Sequence, residues 1–348
     1  EDIVWSWHRR IELAAIGGFF TATVGISGKD DIQAVDTHTV SFKIANPNPM
    51  LFKLHRNPYA PVYDSKKLRE VSTSEDPWAK EFLQNNAAGF GPYSLISIDR
   101  GTKAVFEARE DYHRGKPAIK KVIMLEIPQS ANRAQLLMRG DVDYAQYLQP
   151  REVAELAKAD GVKVESVHSN QMLWMTLNSN VKPFNNKLVR QAMNHAFPQD
   201  EIVKTVAHGL GTALTGCMPD YYPGFAGEYW SYGGKNLDKA KQLLVEAGYP
   251  DGFSTSLMYN SAEPYQEPMC ILYQSALKKI GVDLKLNKQP PASFFKLAGA
   301  REEPMHVFFD APWCPDPGYS MNLYFLSGSF INYSNYSNAK VDELAAKT

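Results

Sequence analysis

With 348 residues, the chain exceeds the size of one ordinary hydrophobic core, so its length favours two lobes, or one lobe and a piece of another. Its hydrophobic fraction of 44%, charged fraction of 22% and formal net charge of -1 indicate a globular protein and exclude a disordered or fibrous one. The balanced charge also argues against a nucleic-acid-binding protein, which normally carries a basic excess or a basic cluster.

The first half of the chain is predicted to interleave helices and strands. Its residue pattern predicts a helix at 1–16, strands at 40–44, 102–109 and 121–127, and a helix at 131–138. Gly140 ends the last of these helices, and an extended segment follows it. A strand, a helix and an extended segment in this order indicate an α/β unit.

The second half repeats this arrangement. Apolar residues at helical spacing predict helices at 187–195, 237–247 and 268–280. The last two helices end at Gly248 and Gly281, and strand-like runs follow both glycines. The sequence therefore predicts an α/β fold with two lobes and a cleft between them.

A crossing between the two lobes is predicted near Ser169, Asn170 and Gln171. This polar step joins two extended stretches within residues 162–178. The alternative is an ordinary turn between neighbouring strands, because loops of this length are common. With the crossing at this step, residues 1–169 form the first lobe and residues 170–348 form the second.

The sequence carries no signature of a membrane span, a metal centre or an enzyme. The longest apolar candidate, residues 13–24, is shorter than the roughly 20 residues that a spanning helix needs. Cys217, Cys270 and Cys314 show no zinc-binding spacing and allow at most one disulfide, and no two histidines are spaced i, i+4. A nucleophile elbow, an H-E-x-x-H helix and a glycine-rich phosphate loop are all absent, so we expect neither catalysis nor a cofactor.

Four segments resemble motifs of one protein family. They are residues 88–93 (A-G-F-G-P-Y), 110–117 (E-D-Y-H-R-G-K-P), 183–192 (P-F-N-N-K-L-V-R-Q-A) and 238–249 (D-K-A-K-Q-L-L-V-E-A-G-Y). The family is that of the family 5 extracellular solute-binding proteins, which includes oligopeptide-, dipeptide- and nickel-chelate-binding members. Glu110, Asp111 and His113 depart from the family motif, but the four matches are collinear over nearly the whole chain.

The resemblance implies a two-lobed architecture like that of periplasmic binding proteins, and a function in transport. On this basis we expect a monomer that delivers a peptide or a peptide-like solute to the membrane permease subunits of an ABC importer. The protein would be periplasmic, or extracellular and anchored to the membrane as a lipoprotein. Sugars, opines and metal chelates remain alternative cargoes, and a sensory module without transport remains an alternative function.

The resemblance also bears on the two ends of the chain. Glu1-Asp2 and residues 335–342 resemble segments that lie inside the mature proteins of the family. They imply truncation at both ends, an incomplete first lobe and a missing C-terminal return to that lobe.

The loop at residues 310–319 is the leading candidate for solute contact. Asp310, Trp313 and Asp316 lie in a proline-stiffened stretch directly after an apolar strand, and proline reduces the entropy cost of holding such a loop in one shape. The loop resembles the one in which family members bind a peptide ammonium with an aspartate. Counting from Trp313 places Asp316 at that acid, whereas counting back from Asp316 places Trp313 there. Asp316 has the alternative role of capping backbone amides in a turn.

Four further residues are predicted to face the solute because they lie near family ligand positions. Arg133 and Arg301 resemble arginines that hold a ligand carboxylate, a task for which the guanidinium fork is suited. Tyr59 and Trp174 would supply aromatic contacts. Each has a structural alternative; for Arg133 it is anchoring the start of a helix.

Overall fold

The computed structural model describes residues 1–13, 18, 21, 23–48, 50–54, 60–214, 216, 218–225, 227 and 234–345. Helices and strands are interleaved along these residues, as the sequence pattern predicts. The chain divides into two compact units, unit 1 at Glu1–Pro128 and unit 2 at Gln129–Thr348. Within the described ranges, every helix falls short of the length and apolar character that a membrane span requires.

Unit 1 contains short helices and two antiparallel sheets. Its elements are α1 (Asp2–Glu12), a 3₁₀ helix (Lys29–Asp31), β1 (Ile32–Ala34), β2 (Val40–Phe42), α2 (Met50–Leu54), α3 (Ser65–Val71), α4 (Phe82–Asn85), β3 (Tyr93–Asp99), β4 (Lys103–Ala108) and β5 (Lys121–Leu125). Strands β1 and β2 pair with each other, and β3, β4 and β5 form a second sheet in that order. The predicted strands at 40–44, 102–109 and 121–127 are confirmed, each with shorter bounds.

The core of unit 1 forms around α1. Trp5 packs with Leu68, Ala79 and Ala88, all of which are buried, and its ring lies 5.4 Å from that of Trp78. Burial of these aromatic and aliphatic side chains removes apolar surface from water, which is the main favourable term in folding. Trp5 is therefore a core residue of this unit.

Unit 2 contains a four-stranded mixed sheet with helices packed on it. Its elements are α5 (Ser130–Arg139), α6 (Pro150–Leu156), β6 (Met172–Leu177), α7 (Lys187–His195), α8 (Gln199–Thr205), α9 (Leu237–Glu246), β7 (Ser254–Asn260), α10 (Gln266–Lys278), β8 (Asp283–Gln289), α11 (Pro291–Ala300), β9 (Met305–Asp310), α12 (Pro317–Tyr324) and α13 (Ala339–Ala345). The strand order is β6-β9-β7-β8. β7 runs parallel to β8 and β9, and β6 runs antiparallel to β9.

Both faces of the central strands of this sheet are covered. On one face, Leu257 of β7 and Met305 of β9 join a core that includes Tyr273 of α10. On the other face, Met258 and Phe308 pack with residues of α11. Strands that are buried on both faces are typical of parallel α/β sheets. Packing on both faces holds the ends of β7 and β9 in fixed positions.

Candidate functional site

The carboxyl ends of β7, β8 and β9 meet at one edge of the unit 2 sheet, which we call the carboxyl edge. Asn260 pairs with Gln289 at the ends of β7 and β8, and Asp310 at the end of β9 pairs with Met172 at the start of β6. In open α/β sheets, ligands bind in the crevice outside the carboxyl ends of the strands. This edge is therefore the candidate functional site of unit 2.

Asp310 is a half-buried carboxylate at this edge. Its Oδ2 accepts a 2.5 Å hydrogen bond from the Tyr324 hydroxyl, and its Oδ1 accepts a 2.7 Å bond from the backbone N–H of Ala311. Burial raises the pKa of Asp310, while the two hydrogen bonds oppose this shift. The same burial and the charge of Asp310 raise the pKa of Tyr324, so its phenol stays protonated and acts as a donor.

Trp174 lies beside Asp310 and Tyr324. Its ring centroid is 5.1 Å from that of Phe308 on the paired strand β9 and 5.1 Å from that of Tyr324 on α12. These tilted and edge-on contacts hold the half-buried indole in place. The structure thus brings together two of the residues predicted from sequence, Trp174 and Asp310, with Tyr324 in contact with both.

The loop between β9 and α12 holds Trp313, the predicted aromatic anchor. Trp313 is half-buried, whereas Cys314 beside it is 1% exposed. The side-chain amide of Asn170 donates a hydrogen bond to the carbonyl of Pro312. This bond ties the loop to the segment before β6, so the anchor projects from a restrained backbone.

Asp316 has a structural role as the N-cap of α12. Its Oδ1 accepts hydrogen bonds from the backbone N–H groups of Gly318 at 2.9 Å and Tyr319 at 3.3 Å. These are the amides at a helix start that lack a partner within the helix. The geometry agrees with the capping alternative, and a role for Asp316 in solute binding stays a prediction.

Two substitutions separate capping by Asp316 from a charge-dependent role. Asp316→Ala should lower the free energy of unfolding by about 1 kcal/mol, because the cap is lost, whereas Asp316→Asn should lower it less because asparagine caps equally well. Chemical denaturation measures both effects. An equal loss in the two variants would contradict capping, and a fall in solute affinity in Asp316→Asn would show that the charge contacts the solute.

The two predicted arginines are held by backbone carbonyls. In α5, Arg133 donates from Nε to Gln146 at 3.2 Å and from Nη2 to Tyr147 at 2.7 Å. Arg301 follows α11 at a φ of 58°, and its Nη2 donates to the carbonyl of Ser329 at 2.7 Å. Arg301 precedes β9 and so lies at the end of that strand opposite to Asp310. The ligand roles of both arginines stay predictions.

Two residues considered in the sequence analysis lie outside the described residues. They are Tyr59, predicted to contact the solute, and Cys217. In the described ranges, no group of three or more His, Cys, Asp or Glu side chains is arranged to hold a metal ion.

Several polar groups near Asp310 were not predicted from the sequence. Tyr222 and Ser320 are 2% and 1% exposed, and Tyr319 on α12 is also buried. Burial, with smaller contributions from nearby charges that include Asp310, raises the pKa of Tyr222 to about 12. A turn tyrosine such as Tyr222 has no sequence signal that places it beside a strand end, because this proximity arises from tertiary packing.

Glu263 is a further residue at the carboxyl edge that was not predicted from the sequence. It follows the end of β7 and is half-buried. A rule based on topology, that polar residues just after parallel strands face the ligand crevice, would have singled it out.

Comparison with known families identifies the chain. Residues 1–332 match the family described as bacterial extracellular solute-binding proteins, family 5 Middle. The chain belongs to this family. The match confirms the resemblance inferred from the four sequence motifs.

Curated relatives of this family 5 chain include several binding proteins. The probable D,D-dipeptide-binding periplasmic protein DdpA of Escherichia coli K12 is 30% identical over 319 residues, which cover 90% of this chain and 60% of DdpA. Heme-binding protein A of Haemophilus influenzae is 24% identical, with 99% of this chain and 65% of that protein covered. The chain thus spans about three fifths of the length of the curated relatives it matches.

Solved structures with the same fold include the periplasmic binding protein DppA of Helicobacter pylori in complex with the peptide STSA. It superposes with a TM-score of 0.82 at 23% identity, over 99% of this chain and 69% of DppA. AgaA of A. tumefaciens R10 in complex with agropinic acid gives a TM-score of 0.78 at 25% identity, over 99% and 69% of the two chains. These matches confirm the predicted α/β fold of two-lobed periplasmic binding proteins.

Proposed function

We propose that the whole protein captures a peptide or peptide-like solute outside the cytoplasm and delivers it to an ABC importer. The observation that carries this proposal is the family 5 match across residues 1–332. Among the relatives and structural neighbours, DdpA is described as dipeptide-binding and DppA is complexed with a peptide. A peptide-like solute is therefore the cargo with the most support.

The carboxyl edge of unit 2 supports capture of a small polar solute. Trp174 and Trp313 supply aromatic surface, and Asp310 supplies a half-buried carboxylate. Pockets for small molecules combine apolar walls with a few polar groups that fix the orientation of the ligand. We propose Trp313, Asp316, Arg133, Arg301, Asp310, Tyr59 and Trp174 as the solute-facing set, with Trp313, Trp174 and Asp310 as its best-supported members.

An opine or a metal chelate is the second candidate cargo, and the role of Asp316 favours it. We propose the alignment that counts back from Asp316, because the carboxylate that caps α12 is engaged by the backbone amides of that helix. This alignment puts Trp313 at the position of the acid that peptide binders use. A tryptophan there favours a solute without a free ammonium at that point, and AgaA, complexed with agropinic acid, is among the structural neighbours.

We further propose that the protein is a monomer that works with the membrane permease subunits of an ABC importer. It binds no nucleic acid and resides in the periplasm or on a lipid anchor. It performs no catalysis, in line with relatives that are described as binding proteins. We also propose the lobe boundary at the crossing near Ser169 to Gln171, with residues 1–169 in the first lobe and 170–348 in the second, whereas the compact units divide after Pro128.

Mass spectrometry of the whole protein tests the cargo class. Purified protein is denatured, and the released small molecules are identified and compared with a mock purification. The proposal predicts a peptide or a peptide-like molecule in stoichiometric amounts. Release of a sugar, an opine or a metal chelate instead would replace the peptide assignment with the alternative cargo.

Replacement of Trp313 tests its role as the anchor. Trp313→Ala should reduce affinity for the released solute by about 2 kcal/mol or more, the scale of a binding hot spot, with little change in apo stability. Trp5→Ala is the matched control, because this core tryptophan should cost about 3 to 5 kcal/mol of stability on truncation. Calorimetry gives affinity and melting together. A sharp fall in apo melting for Trp313→Ala with unchanged affinity would make Trp313 a core residue.

A further inference from the structure

Glu263 occupies a defined position at the carboxyl edge. It lies between β7 and α10, in a loop whose Ser261 donates a 2.8 Å backbone hydrogen bond to Gln289 at the end of β8. The loop is thereby joined to two neighbouring parallel strands. The backbone of Glu263 is therefore held by the ends of β7 and β8 and does not lie in a loose surface loop.

Buried amide side chains fix the conformation of this loop. The backbone N–H of Asn260 donates to Oε1 of Gln266 at 2.7 Å, and the N–H of Ala262 donates to Oδ1 of Asn260 at 3.0 Å. Asn260 is 5% exposed and Gln266 is 1% exposed. The backbone of Glu263 also takes part, because its N–H donates to the Asn260 carbonyl at 3.2 Å and its carbonyl accepts from Gln266 at 3.2 Å. Groups held in this way are preorganised for binding.

The carboxylate of Glu263 is left without compensation. It is half-buried, and no hydrogen bond or ion pair links it to the described residues. Burial raises its pKa, and its charge contributes to the raised pKa of the nearby Tyr265 phenol. A half-buried carboxylate without a partner loses part of its hydration without compensation, and such groups cluster at functional sites.

Glu267 lies four residues further along the chain, in α10. Unlike Glu263, its carboxylate has hydrogen-bond partners on the neighbouring strands. Its Oε2 accepts from Lys288 Nζ at 2.7 Å, and its Oε1 accepts from the Tyr259 hydroxyl at 2.9 Å. These bonds, that of Lys288 first, lower the pKa of Glu267. Lys288, the cation next to the end of β8, is thus committed to Glu267, and Glu263 faces no described cation.

From this arrangement we infer that Glu263 binds a cationic side chain of the solute, such as the guanidinium of an arginine residue. With Asp310 at the end of β9, the carboxyl edge presents two half-buried carboxylates. Such an edge attracts a cationic group and disfavours a solute carboxylate at the same place. The inference rests on the proposed function and narrows its cargo to solutes with a cationic part.

Matched peptides test this inference on the whole protein. Calorimetry compares Ala-Arg and Arg-Ala with the same dipeptides in which citrulline, a neutral isostere, replaces arginine. The wild-type protein should bind the arginine member of a pair at least about tenfold more tightly, and Glu263→Gln should remove this preference. Glu267→Gln is the control and should retain the preference, because that carboxylate is already paired with Lys288.

The outcomes distinguish this inference from the proposed function. Equal affinity for the arginine and citrulline peptides, or a preference that survives in Glu263→Gln, overturns the role of Glu263 while peptide binding itself upholds the function. Absence of binding by all four peptides, together with release of a solute that is not peptide-like from the purified protein, overturns both. Melting of the apo proteins provides a second readout. Glu263→Gln should be at least as stable as wild type, since it removes an unpaired buried charge, and a destabilised variant would indicate a structural role instead.

Discussion

Acidification from pH 7 to pH 4 is expected to lower the free energy of unfolding by about 3 kcal/mol through His306. This histidine on β9 is 2% exposed, and its Nε2 has no hydrogen-bond partner among the residues that the structure describes. Rings of Phe294, Phe308 and Tyr333 surround it with centroids 5.8 to 6.2 Å away. Burial lowers the pKa of His306 to about 4, because the imidazolium would lose its hydration without gaining a counter-ion.

The direction of the effect follows from proton binding in the two states. Between its ordinary pKa of 6.5 and its folded pKa of about 4, His306 is protonated in the unfolded chain but neutral in the folded one. Stability therefore decreases as the pH falls through this window, by about 1.4 kcal/mol per pH unit, and the effect levels off below the folded pKa. The strand partners across from His306, Thr176 of β6 and Met258 of β7, carry no charge that would offset it. Tyr333 is the titratable group in ring contact with it.

Denaturant titrations at several pH values measure this effect. His306→Phe should remove the His306 component, so the difference in stability between wild type and variant should change by about 3 kcal/mol across the window. His113→Phe is the control for loss of a histidine, since His113 is exposed. A wild-type profile that runs parallel to that of His306→Phe would contradict the burial of a neutral histidine.

Gly252→Ala is expected to destabilise unit 2 by about 3 kcal/mol or more. Gly252 has a φ of +81°, a conformation that costs an L-residue about 1 to 2 kcal/mol. A Cβ at this position would also lie 2.0 Å from the carbonyl oxygen of Gly281. The clash involves backbone on both sides, between the segment that enters β7 and the one that enters β8, so relief requires movement of the parallel strand pair.

Gly140→Ala separates the two causes. Gly140 ends α5 at a φ of +76°, and no atom of the described part of the chain lies within 4 Å of a Cβ built there. Its replacement should therefore cost only the conformational part, about 1 kcal/mol. Chemical denaturation of the two variants gives the difference. Equal losses at Gly252 and Gly140 would show that the strands do not approach as closely as the structure places them.

Local patterns in the sequence predicted much of the fold. Alternation predicted β2 and β4, and helical spacing predicted α7, α9 and α10 with bounds within two residues of those observed. Gly140, Gly248 and Gly281 marked the ends of helices, because a positive φ is open to glycine. The pairing of β6 with β9 could not be predicted from the sequence, because it joins segments that are far apart in the chain and depends on tertiary packing.

The candidate site was predicted in part, and the gaps have physical causes. The apolar strand followed by a proline-rich loop located Asp310 and Trp313 at a strand end. The N-cap role of Asp316 was one of two alternatives, because sequence does not distinguish a capping carboxylate from a ligand-facing one. The topology of parallel strands would have singled out Glu263, but its missing counter-ion becomes visible only once the neighbouring Lys288 is seen to bind Glu267.

Equilibrium dialysis of the whole protein against its released solute, followed by mass spectrometry of that solute, tests reversible capture most directly. We expect saturable binding of one solute per protein, full release of the solute on dilution, and a solute that is chemically unchanged. A solute that is cleaved or modified at a rate proportional to protein concentration would contradict it, as would the absence of saturable binding by any solute that the purified protein carries.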